Sequence, residues 1–158
     1  YSFTTSVLLG MVDKLNIQPY FYDGYVARLT TIASYYARSM DLLKVEVSED
    51  IFNPEHPIRT KDRSDPSTYY SPDSKCNHSL VADGCVIEGT VEDCVIFRGV
   101  HVGKNAVVKN CVLMQDTVVE DGANIRYVIA DKDVTIKAHR TLTGHASYPL
   151  AIDKGSII

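Results

Sequence analysis

Four cysteines are the first residues that could carry chemistry, as metal ligands or as reactive thiols. They are Cys76, Cys85, Cys94 and Cys111, and none forms a Cys-x-x-Cys pair. The one histidine near them is His78, whereas a structural zinc site needs four ligands at tight spacing. The spacing therefore predicts no metal site, and it indicates reduced, packed thiols in a cytoplasmic protein.

The charged residues exclude two broad classes of function. The 158 residues carry a net charge of -4 with a pI near 5.7, whereas a nucleic-acid-binding domain needs a basic face. No apolar run approaches the ~20 residues that a membrane span requires, and no basic segment followed by an apolar one marks a signal peptide. We therefore expect a cytoplasmic protein with no nucleic-acid or membrane partner. Because the chain begins at Tyr1 rather than Met, we expect it to be a fragment.

The composition divides the chain into three parts. Eight of the ten tyrosines lie in residues 1–70, and four of the six prolines lie between positions 54 and 72. From position 81 onward, Val and Ile dominate, with regularly placed Gly and Asp. We interpret residues 1–44 as a mixed segment, residues 45–77 as an extended connector in which proline blocks regular helix, and residues 78–158 as a β-rich repeat array.

The first part contains three candidate elements. Apolar residues from Val26 to Leu43 step by three or four, which predicts a helix with one apolar face. The segment Ile17–Tyr22 predicts a strand, and Ser6–Leu15 predicts a short helix. The aromatic faces of these elements need a partner. That partner is either a domain upstream of Tyr1 or the repeat array itself.

The C-terminal half repeats one short pattern, apolar-x-x-x-small-x-apolar, and this repeat is the strongest signal in the sequence. Successive copies start 21, 17, 17 and 16 residues apart, and they cover residues 81–87, 102–108, 119–125, 136–142 and 152–158. A second series runs between them, with triplets that begin at Cys94, Cys111 and Tyr127.

This spacing predicts a three-sided β-solenoid of about four or five coils, in which aliphatic side chains point inward and a small residue fits near each corner. Gly or Asn suits the corners because both tolerate positive φ. The first interval, from Val81 to Val102, is the longest and indicates a looser coil or a bulge. Arg140 occupies a small inward position, and we expect a register shift that turns it to solvent. Phe97 and Met114 are either core residues or partner contacts.

Six segments occur along the chain in a characteristic order. They are Tyr22-Asp-Gly-Tyr-Val26, Ser34-Tyr-Tyr-Ala-Arg-Ser-Met-Asp-Leu-Leu43, Ile58-Arg-Thr-Lys61, Ser79-Leu-Val-Ala-Asp-Gly-Cys85, Val95-Ile-Phe-Arg-Gly-Val100 and Ile129-Ala-Asp-Lys132. Taken in this order, they resemble the C-terminal part of the glucose-1-phosphate adenylyltransferase (ADP-glucose pyrophosphorylase) family. The similarity is greatest to the D-type regulatory subunit of bacterial glycogen biosynthesis, and it covers nearly the whole chain.

The resemblance implies a mainly β fold, with a left-handed parallel β-helix over residues 78–158. Residues 1–44 are then the C-terminal α/β remnant of a nucleotidyltransferase domain with its exit helix, and residues 45–77 are a proline-punctuated linker. Enzymes of this family convert ATP and glucose 1-phosphate into ADP-glucose and diphosphate, and they require Mg. Its glycine-rich nucleotide loop, metal-binding carboxylates and sugar-phosphate lysine are absent from this sequence. We therefore expect no catalytic residues, no metal site and no cofactor in this chain, which is inactive alone.

The resemblance also implies a role in assembly and regulation. The expected partners are a homo-oligomer, or a hetero-oligomer with a catalytic adenylyltransferase subunit, and a phosphorylated-sugar effector. In the family, an Asp-Lys or Asp-Arg pair in the β-helix helps to bind the anionic activator, and Asp131-Lys132 matches it. Lys154 matches a second family lysine, and Arg126 lies close enough in sequence to assist. The alternative is that these three cations are ordinary solvated residues.

Two other functions fit the same predicted solenoid. A hexapeptide acyltransferase that uses coenzyme A would need a general-base histidine between coils, for which His101, His139 and His145 are candidates. No long loop interrupts the repeats to hold such a site, so this function is the alternative. A structural spacer without any ligand would share the fold and the assembly.

Overall fold

The computed structural model of the chain describes residues 2–59 and 63–158, and most of its regular structure is short β-strand. Each strand has two or three residues and pairs in parallel with the third strand before or after it in the chain. Three successive strands therefore make one coil, and the predicted three-sided parallel β-solenoid is confirmed. Positions 60 and 61, part of the segment Ile58-Arg-Thr-Lys61, lie outside the described residues.

The three sides of the solenoid are three five-stranded parallel sheets. Sheet 1 contains β1 (Tyr69–Tyr70), β4 (Val86–Ile87), β7 (His101–Val102), β10 (Val118–Val119) and β13 (Thr135–Ile136). Sheet 2 contains β2 (Lys75–Asn77), β5 (Thr90–Glu92), β8 (Val107–Lys109), β11 (Asn124–Arg126) and β14 (Thr141–Thr143). Sheet 3 contains β3 (Leu80–Val81), β6 (Val95–Ile96), β9 (Val112–Leu113), β12 (Val128–Ala130) and β15 (Leu150–Ile152).

The core is a column of aliphatic side chains inside the solenoid. One inward residue from each strand stacks on its counterpart in the next coil, because the parallel register keeps equivalent positions aligned. Burying a Val, Leu or Ile side chain of this kind contributes about 1.5–3 kcal/mol. At most 2% of each of these inward side chains is exposed: Ile87, Val102, Val119 and Ile136 in sheet 1, Val91, Val108 and Ile125 in sheet 2, and Ile96 and Leu113 in sheet 3.

The predicted small inward residues occupy the corners of the solenoid. Ala106 and Ala123 are fully buried there, and so are the free thiols Cys94 and Cys111. Many corner residues have a left-handed backbone, which Gly, Asn and Asp adopt at least cost. One such column follows sheet 2 and another follows sheet 3. They consist of His78, Asp93, Asn110 and Tyr127, and of Gly84, Gly99, Asp116, Asp133 and Gly155.

The lengths of the coils differ from the predicted ones. Val81 pairs with Ile96, and Val102 pairs with Ile87, so the longest interval of the repeat joins two different sheets. It is therefore not a loose coil. The irregular coils are a short one, which runs from Val86 to its partner His101, and a long one, which runs from Val128 to its partner Leu150.

Two further details of the register depart from expectation. Val128 takes the inward position that Cys94 and Cys111 occupy in the two preceding coils. Tyr127, the predicted counterpart of these cysteines, is a corner residue instead. Arg140 is exposed, as predicted, but its register is unshifted. Its strand neighbour Thr141 pairs with Asn124, so Arg140 lies level with Ala123. It reaches solvent because β14 is the last strand of sheet 2 and no coil covers it.

A helix covers the outer face of sheet 3. Helix α1 (Ile32–Asp41) is capped by Thr31, whose hydroxyl accepts a hydrogen bond from the backbone N–H of Ser34. This cap begins the helix later than the predicted Val26. The helix buries Tyr36 against outward residues of three successive coils, Val95, Val112 and Ile129. Phe97 and Met114 are half-buried in the same outer cluster, so they lie outside the solenoid core.

The other N-terminal elements differ more from the prediction. Residues 17–22 form no strand, because they pair with none of the three described sheets, and their side chains are exposed. A π-helical segment, Phe3–Leu9, stands where the first short helix was predicted. No helix within residues 2–59 and 63–158 is long and apolar enough to cross a membrane.

The connector over residues 45–77 is also more structured than proline content suggests. Helix α2 (Val45–Ile51) precedes the first of its prolines, Pro54, and so escapes their effect. The strands β1 and β2 already belong to the solenoid, which therefore starts at Tyr69 rather than at residue 78.

Candidate functional site

The corner between sheets 3 and 1 holds two of the predicted cations. Its turns stack coil upon coil, and their backbones are joined by hydrogen bonds such as Gly155 N–H to the Lys132 carbonyl at 2.9 Å. Because Ala130 pairs with Ile152, Lys132 and Lys154 occupy equivalent positions of neighbouring coils. Arg98 and Gln115 occupy the same position in the two coils before them.

Lys132 and Lys154 both extend into solvent. The ammonium of Lys154 lies 3.7 Å from the Asp133 carboxylate. The backbone N–H of Lys132 donates to the Asp131 carboxylate at 2.7 Å. No described carboxylate lies within 4.0 Å of the Lys132 ammonium. Lys132 is therefore the more available of the two cations for an anionic ligand.

Arg126 lies apart from this pair. It ends β11 on the outer face of sheet 2, and β12 separates it from Lys132. Six residues of extended chain span up to about 20 Å. Although Arg126 and Lys132 are close in sequence, the segment between them crosses sheet 3, so their side chains lie at its opposite edges. The Arg126 guanidinium donates instead to Asn124 Oδ1 at 3.5 Å.

Ion pairs occupy the same corner in the earlier coils. Asp65 comes from the connector, and its carboxylate lies 3.1 Å from the Arg63 guanidinium and 4.0 Å from that of Arg98. Arg63 also reaches Asp116 at 3.8 Å. These carboxylates pair with the arginines in the earlier coils, so at this corner the cations available to a ligand are those of the last two coils.

A cavity of about 570 Å³ opens next to the turns that carry the two lysines, although neither lysine lines it. It lies between the start of α1 and the outer face of sheet 3, and Tyr35, Met114 and Ile129 form its apolar wall. Asp131 and Asp153 lie on its rim, each directly before one of the lysines. A ligand in this cavity would therefore meet an apolar wall on one side and two carboxylates on the other, and an anionic group would have to extend past the rim to reach a lysine.

The helix that forms this cavity is held at its C-terminal end by Asp41. Only 11% of this carboxylate is exposed, and it pairs with Arg38 at 2.9 Å and Lys44 at 2.8 Å. The Tyr25 hydroxyl donates to it at 2.9 Å. Burial alone would raise the pKa of Asp41, but the hydrogen bonds from Lys44 and Tyr25 and the charge of Arg38 lower it below its usual value. The i,i+3 spacing of Arg38, Asp41 and Lys44 is a sequence signal for these ion pairs, whereas the contact with Tyr25, sixteen residues earlier, has no such signal.

The three candidate histidines of an acyltransferase do not share a site. His101 lies on the outer face of sheet 1, with Nε2 3.0 Å from the Glu88 carboxylate. His139 is a corner residue between sheets 1 and 2, and His145 lies in the extra loop of the last coil beside Ser147. Among the described residues, no three His, Cys, Asp or Glu side chains are grouped so as to hold a metal ion.

Known proteins resemble this chain along most of its length. Residues 68–146 match the family described as GlmU-like, C-terminal hexapeptide. The glycogen biosynthesis protein GlgD of Bacillus subtilis (strain 168) is 43% identical over 145 residues, which are 92% of this chain and 42% of that protein.

Other relatives carry the name of the enzyme itself. A glucose-1-phosphate adenylyltransferase of Clostridium perfringens (strain SM101 / Type A) is 35% identical over 113 residues, which are 72% of this chain and 29% of that protein. A second one, from Geobacillus stearothermophilus, is 41% identical over 90 residues, which are 57% of this chain and 23% of that protein. The chain thus spans less than half the length of these curated relatives.

The matched family covers residues 68–146, which include all strands of the solenoid except β15, and the relatives confirm the resemblance predicted from the ordered segments. The chain belongs to the GlmU-like, C-terminal hexapeptide family, and it is similar to the C-terminal part of glycogen biosynthesis protein GlgD and of glucose-1-phosphate adenylyltransferases.

Proposed function

We propose that this chain is the regulatory and assembly portion of a glucose-1-phosphate adenylyltransferase-type subunit in cytoplasmic glycogen biosynthesis. The observation that carries the proposal is the 43% identity to a glycogen biosynthesis protein along 92% of the chain. The chain itself performs no adenylyl transfer and needs no cofactor of its own. A catalytic adenylyltransferase subunit, with Mg and ATP, forms ADP-glucose and diphosphate.

The effector in this proposal is a phosphorylated sugar held by Lys132 and Lys154. Lysine ammonium groups donate charge-assisted hydrogen bonds to phosphate oxygens. The stacking of the last two coils aligns these two cations, and the adjacent cavity has room for the body of a small ligand. Arg126 lies too far from this pair to contact the same phosphate group.

Titration with fructose 1,6-bisphosphate tests the effector site. Ligand that binds only the folded state raises its melting temperature. We expect a rise for the wild-type chain and a rise reduced by more than half for Lys132→Gln. A matched control is Arg140→Gln, which removes an exposed cation from another corner, and its response should equal that of the wild type. An unchanged melting temperature in wild type, or an undiminished response in Lys132→Gln, would exclude this effector site.

Assembly is tested separately, by mixing the chain with a catalytic glucose-1-phosphate adenylyltransferase subunit and measuring the mass of the eluted complex by light scattering. The proposal predicts a complex heavier than either component. Separate elution of the two components at micromolar concentration would contradict the assembly role.

A further inference from the structure

The corner between sheets 1 and 2 contains a gap that the repeat pattern does not predict. Four residues join the two sheets in most coils, as in Gly103–Ala106 between β7 and β8. Only Glu88 and Gly89 join β4 to β5. The corner loops of the coils before and after, at residues 71–74 and 103–106, project beyond this short connection. A cleft of about 500 Å³ lies between them.

The short corner is a built feature of the solenoid, because its backbone is hydrogen-bonded to both neighbouring coils. Glu88 N–H donates to the Val102 carbonyl at 2.8 Å, and Thr90 N–H donates to the Ala106 carbonyl at 2.8 Å. On the other side, Lys75 N–H donates to the Gly89 carbonyl at 3.0 Å. The cleft thus has a rigid floor and rigid walls.

Gly89 keeps the floor of the cleft low. It is buried, and a Cβ atom there would lie 2.4 Å from the Ala106 carbonyl oxygen and 2.6 Å from that of Gly103. Real Cβ atoms do not approach backbone oxygens so closely, so glycine lets the two strands pass with no side chain between the loops.

The side chains around the cleft include both kinds of hydrogen-bonding partner. Lys75 and Lys104 supply ammonium donors, and Asp73 and Glu88 supply carboxylate acceptors. No described carboxylate lies within 4.0 Å of either lysine ammonium, so their charges are available to a ligand. Tyr69 adds an aromatic wall.

This mixture of groups decides the chemistry of the ligand. The Glu88 carboxylate already has a partner in His101 Nε2, at 3.0 Å. A phosphate offers only acceptors and would leave the Asp73 carboxylate without a donor, whereas an apolar ligand would offer no partner to Lys75, Lys104 or Asp73. A hydroxyl group both donates and accepts, so a polyhydroxylated, uncharged molecule satisfies lysines and carboxylates together. The cleft volume lies within the range of small-ligand sites.

We infer that this cleft is a binding site for a neutral carbohydrate. Lys104 and Lys75 donate to sugar oxygens, Asp73 accepts from sugar hydroxyls, and Tyr69 packs against the ring. The site is at a different corner from Lys132, so this inference does not depend on the effector site proposed above.

Isothermal titration of the 158-residue chain with maltotriose, a neutral oligosaccharide, tests the inference. We expect saturable binding that is weakened about tenfold by Lys104→Gln, which removes one charge-assisted hydrogen bond. A matched control is Lys137→Gln. Lys137 lies at the same corner two coils after Lys104, and its ammonium pairs with Glu120 at 2.8 Å. The Lys137→Gln variant should bind maltotriose like wild type.

A second variant fills the cleft by inserting Asn-Gly between Glu88 and Gly89, which restores the four-residue corner. It should abolish maltotriose binding, and if it does not fold, Asp73→Ala provides the second test with an expected loss of severalfold or more. Absence of maltotriose binding to wild type, unchanged binding in Lys104→Gln, or tighter binding of glucose 6-phosphate than of maltotriose to a Lys132→Gln chain, in which the effector site is weakened, would each overturn the inference. Lys132→Gln should leave maltotriose binding unchanged, which separates this result from failure of the effector site.

Discussion

Tyr36 is the residue that joins the N-terminal helix to the solenoid. Its hydroxyl donates to the backbone carbonyl of Asn110 at 2.8 Å, and its ring meets the edge of Tyr127 with centroids 6.5 Å apart. Burial raises the pKa of the Tyr36 phenol well above its usual value, so it remains a hydrogen-bond donor at any physiological pH. The contact also packs Tyr127, whose left-handed backbone, with φ of 53°, is costly for an aromatic residue.

Tyr36→Phe should lower the free energy of unfolding by about 1 kcal/mol, because it removes the hydrogen bond to Asn110 and keeps the ring. Tyr35→Phe is the control, since the Tyr35 hydroxyl makes no hydrogen bond with the described residues. Urea denaturation followed by circular dichroism measures both. Equal effects of the two substitutions would show that the Tyr36 hydroxyl does not hold the helix.

Gly89 tests whether the short corner is as tight as the structure indicates. Gly89→Ala should destabilise the fold by about 3 kcal/mol, since the new Cβ would overlap two carbonyl oxygens. Gly155→Ala is the comparison, because its φ of +71° makes alanine strained while nothing lies within 4 Å of the new Cβ. Its cost should be about 1 kcal/mol. Thermal unfolding of both variants checks the order, and a Gly89→Ala protein as stable as Gly155→Ala would contradict the tight corner.

At the scale of elements, α1 is held at both ends by polar contacts. Thr31 and Ser34 form a reciprocal cap at its start, and Asp41 collects Arg38, Lys44 and the Tyr25 hydroxyl at its end. The apolar face between them packs on three coils. The helix therefore packs on outward side chains that recur from coil to coil, although its own residues lie outside the repeats.

The Asp41 cluster gives the stability a predictable dependence on pH. The pKa of Asp41 is lowered in the folded state, so its stabilising effect is complete above the unfolded pKa near 4 and is lost as the pH falls through the lower folded value. Asp41→Asn should lower the free energy of unfolding by about 1 kcal/mol at pH 7, since its partners are partly exposed.

The difference in stability between wild type and Asp41→Asn should shrink as the pH falls below 4. Asp153→Asn, an exposed aspartate that forms no ion pair with the described residues, should show no such difference at either pH. Denaturant titrations at pH 7 and pH 3 measure both variants. A difference between wild type and Asp41→Asn that stays constant with pH would contradict the assigned role of this carboxylate.

The elements differ in how far their sequences determine them. Inward residues such as Val102, Val108 and Val119 recur regularly, so the solenoid is visible without a structure. The start of α1 depends on the local chemistry of its cap, and residues 17–22 have strand-like composition but no sheet edge to pair with. These two features depend on contacts that hydrophobic periodicity does not encode.

The sequence likewise predicts some features of the candidate site and not others. Stacking of Lys132 on Lys154 follows once the coils are in register. The separation of Arg126 was not visible, because the short segment between Arg126 and Lys132 spans one whole side of the solenoid. The short corner at Gly89 appears in the structure as a close spacing of the paired residues Val86 and His101. In the sequence it lies inside the long interval from Val81 to Val102, which joins two different sheets and therefore hides it.

For the whole molecule, the sides of the solenoid differ in their surroundings. Helix α1 covers sheet 3, while residues on the outer side of sheet 1 such as Tyr69 and Ile157 are largely exposed, at 56% and 70%. The candidate effector site, the carbohydrate cleft and the helix contact lie at three separate places on the column. A regulatory role of the kind proposed above therefore requires that these places act on another protein.

The most direct test of this account is the rate of ADP-glucose formation by a catalytic glucose-1-phosphate adenylyltransferase subunit, measured with and without an equimolar amount of the chain. The account predicts that the chain alone forms no ADP-glucose, and that it changes the rate of the catalytic subunit or its response to fructose 1,6-bisphosphate at least twofold. ADP-glucose formed by the chain alone, or a catalytic subunit whose rate and response are the same with and without the chain, would contradict it.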